Sequence, residues 1–412
     1  MTTSPDHVTT QQCPACGATV PAALYCGRCG MALGSNPGFW HRLLRPDAFA
    51  AAPRERITLP LVTSSLFPHL DQRSRNPFRV GMLLLVVSLV LFSVVRWLGP
   101  LVTVAGLGVP LLFVLYLWQS HVLRDMPGHV LSVATLLGAG LGIGWVVVTG
   151  GLVARSYGIP MAAGFVLQHL IGVGLAISVG GALLMVLPAV VVRLMRPPTI
   201  SESLDGFVIG ALGALSFTAA ATLTRLAPQF TAGLIDNVRP ARLILEAGLY
   251  GIAMPLTAAA AGGLIGMMLW FRSGERADLH PERVHRALLI FTGVVVMLYT
   301  TIWVVDAARL PKLPQLLLHL GLTVLAVLAA RIGMQMALLH EAPDPPRDGP
   351  VLCEHCERVV PDMPFCPSCG VAGRASSRTS RRLRREAAPA SLTDPEDEAY
   401  DGEVASGPDA GI

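Results

Sequence analysis

The chain has 412 residues, of which 52% are hydrophobic and only 14% charged, with a formal net charge of +4. Its mean hydropathy is +0.57, whereas a soluble domain carries about 25% charged residues. That balance excludes the two or three soluble domains that length alone would suggest. The positive charge is no nucleic-acid footprint either, and no nucleic-acid partner is expected: the basic residues are almost all arginine, with Lys312 the only lysine.

The first thirty residues are polar and contain no basic stretch followed by an apolar one, so no cleavable signal peptide is expected. They hold two Cys-x-x-Cys pairs, Cys13 with Cys16 and Cys26 with Cys29. Two residues between thiolates let both occupy one edge of a metal tetrahedron, and a unit this small needs the metal to fold. Glycines beside the ligands, Gly17, Gly27 and Gly30, suit the tight turns. Tyr25 is expected to form the miniature core. The reading is a zinc ribbon over residues 1–30. Disulfides or a redox pair are the alternatives, but a redox pair normally sits on a βαβ pattern, which is absent.

Residues 31–79 read as a linker, in which Phe39, Trp40, Leu43 and Leu44 beside Arg42 and Arg45 suggest a helix lying on the membrane surface. Apolar runs of about 20 residues then predict membrane helices near 80–98, 100–118, 128–154, 161–193, 204–224, 242–271, 286–307 and 314–339. The fourth is long for one crossing and short for two, with Gly180-Gly181 and Pro188 as possible breaks. Glycines recur within the helices: Gly138, Gly140, Gly142 and Gly144 alternate, and Gly206/Gly210 and Gly262/Gly266 have the small-xxx-small spacing of close helix contacts. Arg331, near the inner end of the last helix, is expected to snorkel.

Ionisable residues inside a membrane domain are functional candidates. His169, Glu246, Asp306 and His319 all fall toward the outer leaflet in this threading, where together they would make a metal site for a membrane hydrolase. The plainer reading pairs Glu246 with Arg242 and Asp306 with Arg309.

The stretch Asp205-Gly206-Phe207-Val208-Ile209-Gly210, continuing to Ser216-Phe217, resembles the PrsW family of intramembrane metalloproteases over residues 128–270. The resemblance implies a helical protease-like fold in a bacterial plasma membrane. The family's catalytic groups do not carry over. Ala221-Thr222 stands where Glu-Asn is expected, Ser178 to Leu184 offers neither acid nor lysine for Glu-Glu-x-x-Lys, and Leu249 to Met268 contains no histidine. Zinc hydrolysis needs ligands, an open coordination position and a base for water. The resemblance therefore implies a fold that binds without cutting.

After a short linker at 341–350 comes a second cysteine set, Cys353, Cys356, Cys366 and Cys369, repeating the first at an offset of 340. Val20 and Val360, Pro21 and Pro361, Tyr25 and Phe365, Gly30 and Gly370 coincide, so residues 351–370 form a second copy of one unit, with Phe365 expected as its miniature core. His355 is a spare ligand. Residues 371–412 read as a disordered tail, basic at Arg381, Arg382, Arg384 and Arg385 and then acidic.

Zinc thiolates need reduced cysteines, which places both termini in the cytoplasm. An even number of crossings then counts the fourth segment once and gives eight. Basic flanks number eleven inside against seven outside in that orientation, the direction of the positive-inside rule. The expectation is an all-α polytopic membrane protein with a small β zinc ribbon at each terminus and two structural Zn2+ ions. Its predicted role is a non-catalytic scaffold or regulator with the lipid bilayer and a cytosolic or membrane protein as partners, and two ribbons able to dock with each other. An active intramembrane metalloprotease or other hydrolase is the first alternative. A transporter or channel built on the Gly180-Gly181 break is the second.

Overall fold

A computed structural model describes residues 9–34 except 15, then 65–67, 72–156, 165–195, 197, 200–231, 238–272, 281–307, 310–341, 349–353 and 356–387. Eight helices among them are long and apolar enough to cross a membrane. The chain is a helical membrane protein with a two-stranded sheet and a four-cysteine cluster near each end.

In chain order the helices are α1 (Gln72–Val95), α2 (Leu98–Gln119), the short α3 (Val122–Asp125), α4 (Gly128–Ser156), α5 (Phe165–Met195), α6 (Ser203–Leu226), α7 (Pro240–Gly248), α8 (Met254–Trp270), α9 (Pro281–Ala307) and α10 (Lys312–His340). A π-helical turn at Leu249–Ala253 joins α7 to α8 into one span. Pro255 explains the turn, because proline lacks the N–H for a regular ladder and its ring clashes with the preceding turn. The Ala253 carbonyl, at the end of the turn, also accepts from the Thr257 hydroxyl at 2.8 Å and from the Thr323 hydroxyl of α10 at 3.2 Å.

Burial separates a centre from a periphery. In an apolar 18-residue stretch of the spans Ser203–Phe230 and Pro240–Trp270, 83% and 78% of the residues are buried by protein, against 22% in Asn76–Val95 and His285–Ile302. Lipid tails give apolar helices no reason to leave them for one another, so the centre is held by close packing. An added Cβ at Gly210 would lie 2.0 Å from the Gly262 carbonyl oxygen, and one at Gly266 would lie 2.0 Å from that of Gly206. The two small-residue pairs therefore face each other across the α6–α8 crossing. In α4 the alternation splits by face: Gly138 and Gly142 meet the backbone of α6 at Gly213 and Phe217, while Gly140 and Gly144 meet nothing within 4 Å.

The doubtful fourth segment is one helix. α5 runs unbroken through Gly180-Gly181 and Pro188, and the two glycines open a slot for the Trp145 ring of α4. The break on which a transporter reading rested is absent from this helix.

Three expectations need correction. The first helix begins at Gln72, and the stretch before it contributes to the core: Leu66 and Phe67 are buried, with the Phe67 ring 4.3 Å from Phe78 and 4.9 Å from Tyr116. The surface-helix residues Phe39, Trp40, Leu43 and Leu44 lie outside the described residues. Arg331 does not snorkel; it is fully buried among the helices. The basic run after the second ribbon is not a solvated tail: Gly373–Ala375 form a 3-10 turn and Arg378–Glu386 a helix, α11, docked on the protein. The acidic residues beyond it lie outside the described residues.

Candidate metal centres

Each end of the chain builds the same small unit. β1 (Thr10–Gln12) pairs antiparallel with β2 (Thr19–Pro21), Gln11 opposite Val20. β3 (Pro350–Leu352) pairs with β4 (Val359–Pro361), Val351 opposite Val360. The first cysteine pair sits on the loop joining the strands. There the Cys13 carbonyl accepts from Gly17 at 2.9 Å, and the Cys353 carbonyl from Glu357 at 2.8 Å. The second pair sits on a turn closed by Gly30 to the Cys26 carbonyl, matched by Gly370 to Cys366. Gly17, Gly30 and Gly370 all have positive φ, as does Glu357, which stands where the first copy has Gly17.

The four sulfurs of Cys13, Cys16, Cys26 and Cys29 converge, as do those of Cys353, Cys356, Cys366 and Cys369, all within 4.8 Å of one another in each set. Cys13 and Cys29 are 3.7 Å apart and Cys16 and Cys26 3.8 Å; the second set gives 3.7 Å for Cys353–Cys369 and 3.8 Å for Cys356–Cys366. A metal with Zn–S bonds near 2.3 Å sets a tetrahedral edge of about 3.8 Å. A disulfide would bring sulfurs to about 2.0 Å, and the cysteines are free. The donor sets thus fit two structural metal ions. His355 lies outside the described residues.

The aromatic residues do not form the ribbon cores as expected. Val20 and Val360 pack on the cysteines in that role. Tyr25 and Phe365 instead join the two ribbons. The Tyr25 N–H donates to the Pro367 carbonyl at 2.9 Å, and the Phe365 N–H donates to Gly27 at 2.9 Å. Under the 340-residue offset these are the same bond made twice, so the ribbons meet about a local pseudo-two-fold. The Tyr25 ring covers Gly370, and Met363 covers Gly27.

The C-terminal ribbon is bound in turn to one end of the helical domain. Arg374 reaches Glu341 at 3.2 Å, Arg378 reaches Asp205 at 2.7 Å, and Arg381 pairs with Glu202. Glu202 and Asp205 form the capping box that starts α6. Glu341 accepts from the Ser203 N–H and hydroxyl, both at 2.8 Å. Asp125, at the end of α3, accepts the Thr379 N–H at 3.0 Å, and Arg385 ties α11 back to Asp362 of the ribbon at 2.7 Å. Burial pushes the Glu341 carboxyl above its ordinary value, and Arg374 works against that shift. These acids sit where α3, α6 and α10 begin or end, so they gather on one face of the bundle.

The proposed outer-leaflet site does not assemble from what is described. Glu246 is engaged by Arg242 at 3.2 Å and by Lys312 at 3.8 Å. His319 is fully buried on α10. Neither belongs to a metal-ligating group among the described residues, where the two cysteine clusters are found. The side chains of His169 and Asp306 lie outside the described set.

Comparison with protein-family models, curated proteins and solved structures returned no match.

Sequence reading missed the docking acids Asp125, Glu202, Asp205 and Glu341 as a set. A signal was available. All four flank membrane helices on the face assigned to the ribbons, where the positive-inside rule favours arginine, and acids there call for a basic partner.

Proposed function

We propose that this protein is a non-catalytic membrane scaffold or regulator in which two zinc ribbons form one platform on the cytoplasmic end of an eight-helix domain. The observation that carries the reading is the continuous set of polar contacts from ribbon to ribbon to helix ends. Tyr25 and Phe365 join the ribbons, and Arg374, Arg378 and Arg381 join the second ribbon to Glu341, Asp205 and Glu202. A module held this firmly transmits a partner's binding to the helices.

Zinc is the metal of this proposal, because four thiolates at tetrahedral edges suit zinc and the sites leave no open position for chemistry. Cytoplasmic placement follows from the need for reduced thiols and from the bias of basic flanks. The PrsW-like resemblance of residues 128–270 enters as a retained helical fold. Asp205, at the helix start that carries the resemblance, is held by Arg378 and the capping box. The platform's partners are cytosolic or membrane proteins.

Photocrosslinking in native membranes tests the reading. Replacing Cys353 with serine should remove a defined subset of crosslinked proteins while the helical domain stays inserted. An unchanged set would contradict a platform role for the ribbons.

A further inference from the structure

We infer that the two cysteine clusters are one cooperative two-metal unit, in which metal at either centre strengthens the hold on metal at the other. The inference rests on the metal-binding part of the proposed function and on nothing else in it.

A unit of about twenty residues has too little apolar surface to fold alone, so its metal affinity and its folding are one equilibrium. Anything that stabilises the folded ribbon raises its affinity by linkage. Each ribbon here receives such support from the other, and at the metal-holding turn itself. Gly27 lies between Cys26 and Cys29; its carbonyl accepts the Phe365 N–H at 2.9 Å, and Met363 lies over its Cα. Pro367 lies between Cys366 and Cys369, and its carbonyl accepts the Tyr25 N–H at 2.9 Å. The Tyr25 ring packs on Gly370, directly after Cys369, where an added Cβ would meet the ring at 2.9 Å. Losing one metal unfolds the residues that support the other turn. Coupling of this kind is reciprocal and has a typical magnitude of 5- to 150-fold in affinity.

The test follows metal release from the full chain in detergent micelles, loaded with zinc, to the chromophoric chelator 4-(2-pyridylazo)resorcinol. Cys13→Ser should hold one zinc and release it on the order of tenfold faster than the parent. Gly27→Leu keeps all eight thiolates but displaces Met363 and the turn contact, and should release both zincs faster. Helical circular dichroism checks the bundle, and Met363→Ala replaces either variant should its helices be lost. Release from both variants at the parental rate overturns the coupling. So does acceleration in Cys13→Ser alone, because the interface would then carry none of it. A parent that binds no zinc overturns both this inference and the metal reading, whereas a parent with two independently released zincs overturns only the inference.

Discussion

The ribbons and the helical domain solve opposite folding problems. Each ribbon has its cysteines and a few apolar side chains for a core, Val20 and Met31 in the first and Val360 in the second, so a bound metal and its neighbours would supply the stability it lacks. The helical domain is apolar nearly throughout, and its centre is defined by where backbones can touch, at Gly206, Gly210, Gly262 and Gly266. Charged side chains, expensive within the bilayer, are used at the junction between the two. There Glu202, Asp205 and Glu341 receive arginines from the segment after the second ribbon. The helical domain is thus held by backbone contacts within it, whereas the ribbons rely on their cysteine clusters and on polar contacts with their surroundings.

The largest effect expected is on the ribbon side. Cys353→Ala should abolish the second metal centre, since structural zinc contributes on the order of 10 kcal/mol to folding of such a unit. Release of α11 would follow, read as rapid tryptic cleavage between Arg378 and Arg385 in a protein whose helical content is unchanged. Slow cleavage, as in the parent, would separate the docked helix from the metal site.

Next comes the junction. Arg381 and Glu202 are both nearly buried, and removing one partner of a buried pair costs about 3–5 kcal/mol because the other charge is left unpaired. Arg381→Ala should undock α11 while both zincs stay bound, and Arg381→Ala with Glu202→Gln should recover part of the loss. Proteolysis combined with zinc analysis reads both outcomes.

On the helical side, Gly210→Ala would push a methyl group against the Gly262 carbonyl. Overpacking of this kind costs about 1–3 kcal/mol. Thermal denaturation in micelles should show a lower helical midpoint with unchanged zinc content. The same substitution at Gly140, whose Cβ would meet nothing within 4 Å, should leave the midpoint where it was.

The smallest effect distinguishes the two ribbons. Glu357 holds φ +56 where Gly17 holds +66, and a left-handed conformation costs a side-chain-bearing residue about 1–2 kcal/mol. Glu357→Gly should slow zinc release from the second centre by up to about tenfold. Gly17→Glu should weaken the first centre by a similar factor.

How much of this was legible in the sequence varied with the physics involved. The cysteine spacing specified both metal clusters because two residues between thiolates admit few geometries, and the duplication made the match hard to produce by chance. The helices were legible as apolar runs, and the small-xxx-small pairs were legible as contacts, although spacing alone did not say that α6 would meet α8. The alternating glycines of α4 looked equivalent, yet only Gly138 and Gly142 face α6, since a helix turns alternate positions to different sides. The fate of the basic run was not legible. Arg381 and Glu202 are 179 residues apart, and nothing local to either says whether such an arginine faces water, lipid or a carboxylate. The role of Tyr25 and Phe365 was misread for a related reason: an aromatic in a minimal ribbon looks like its core until a second ribbon is placed beside it.

Two four-cysteine ribbons, each shaped to hold one metal ion, stand at one end of the helical membrane domain. X-ray absorption at the zinc edge, with metal quantification on the full chain purified in micelles, tests it most directly. The expected result is two zinc ions per chain, each with four sulfur ligands near ~2.3 Å. Fewer than two ions, or a shell containing nitrogen or oxygen, would contradict it.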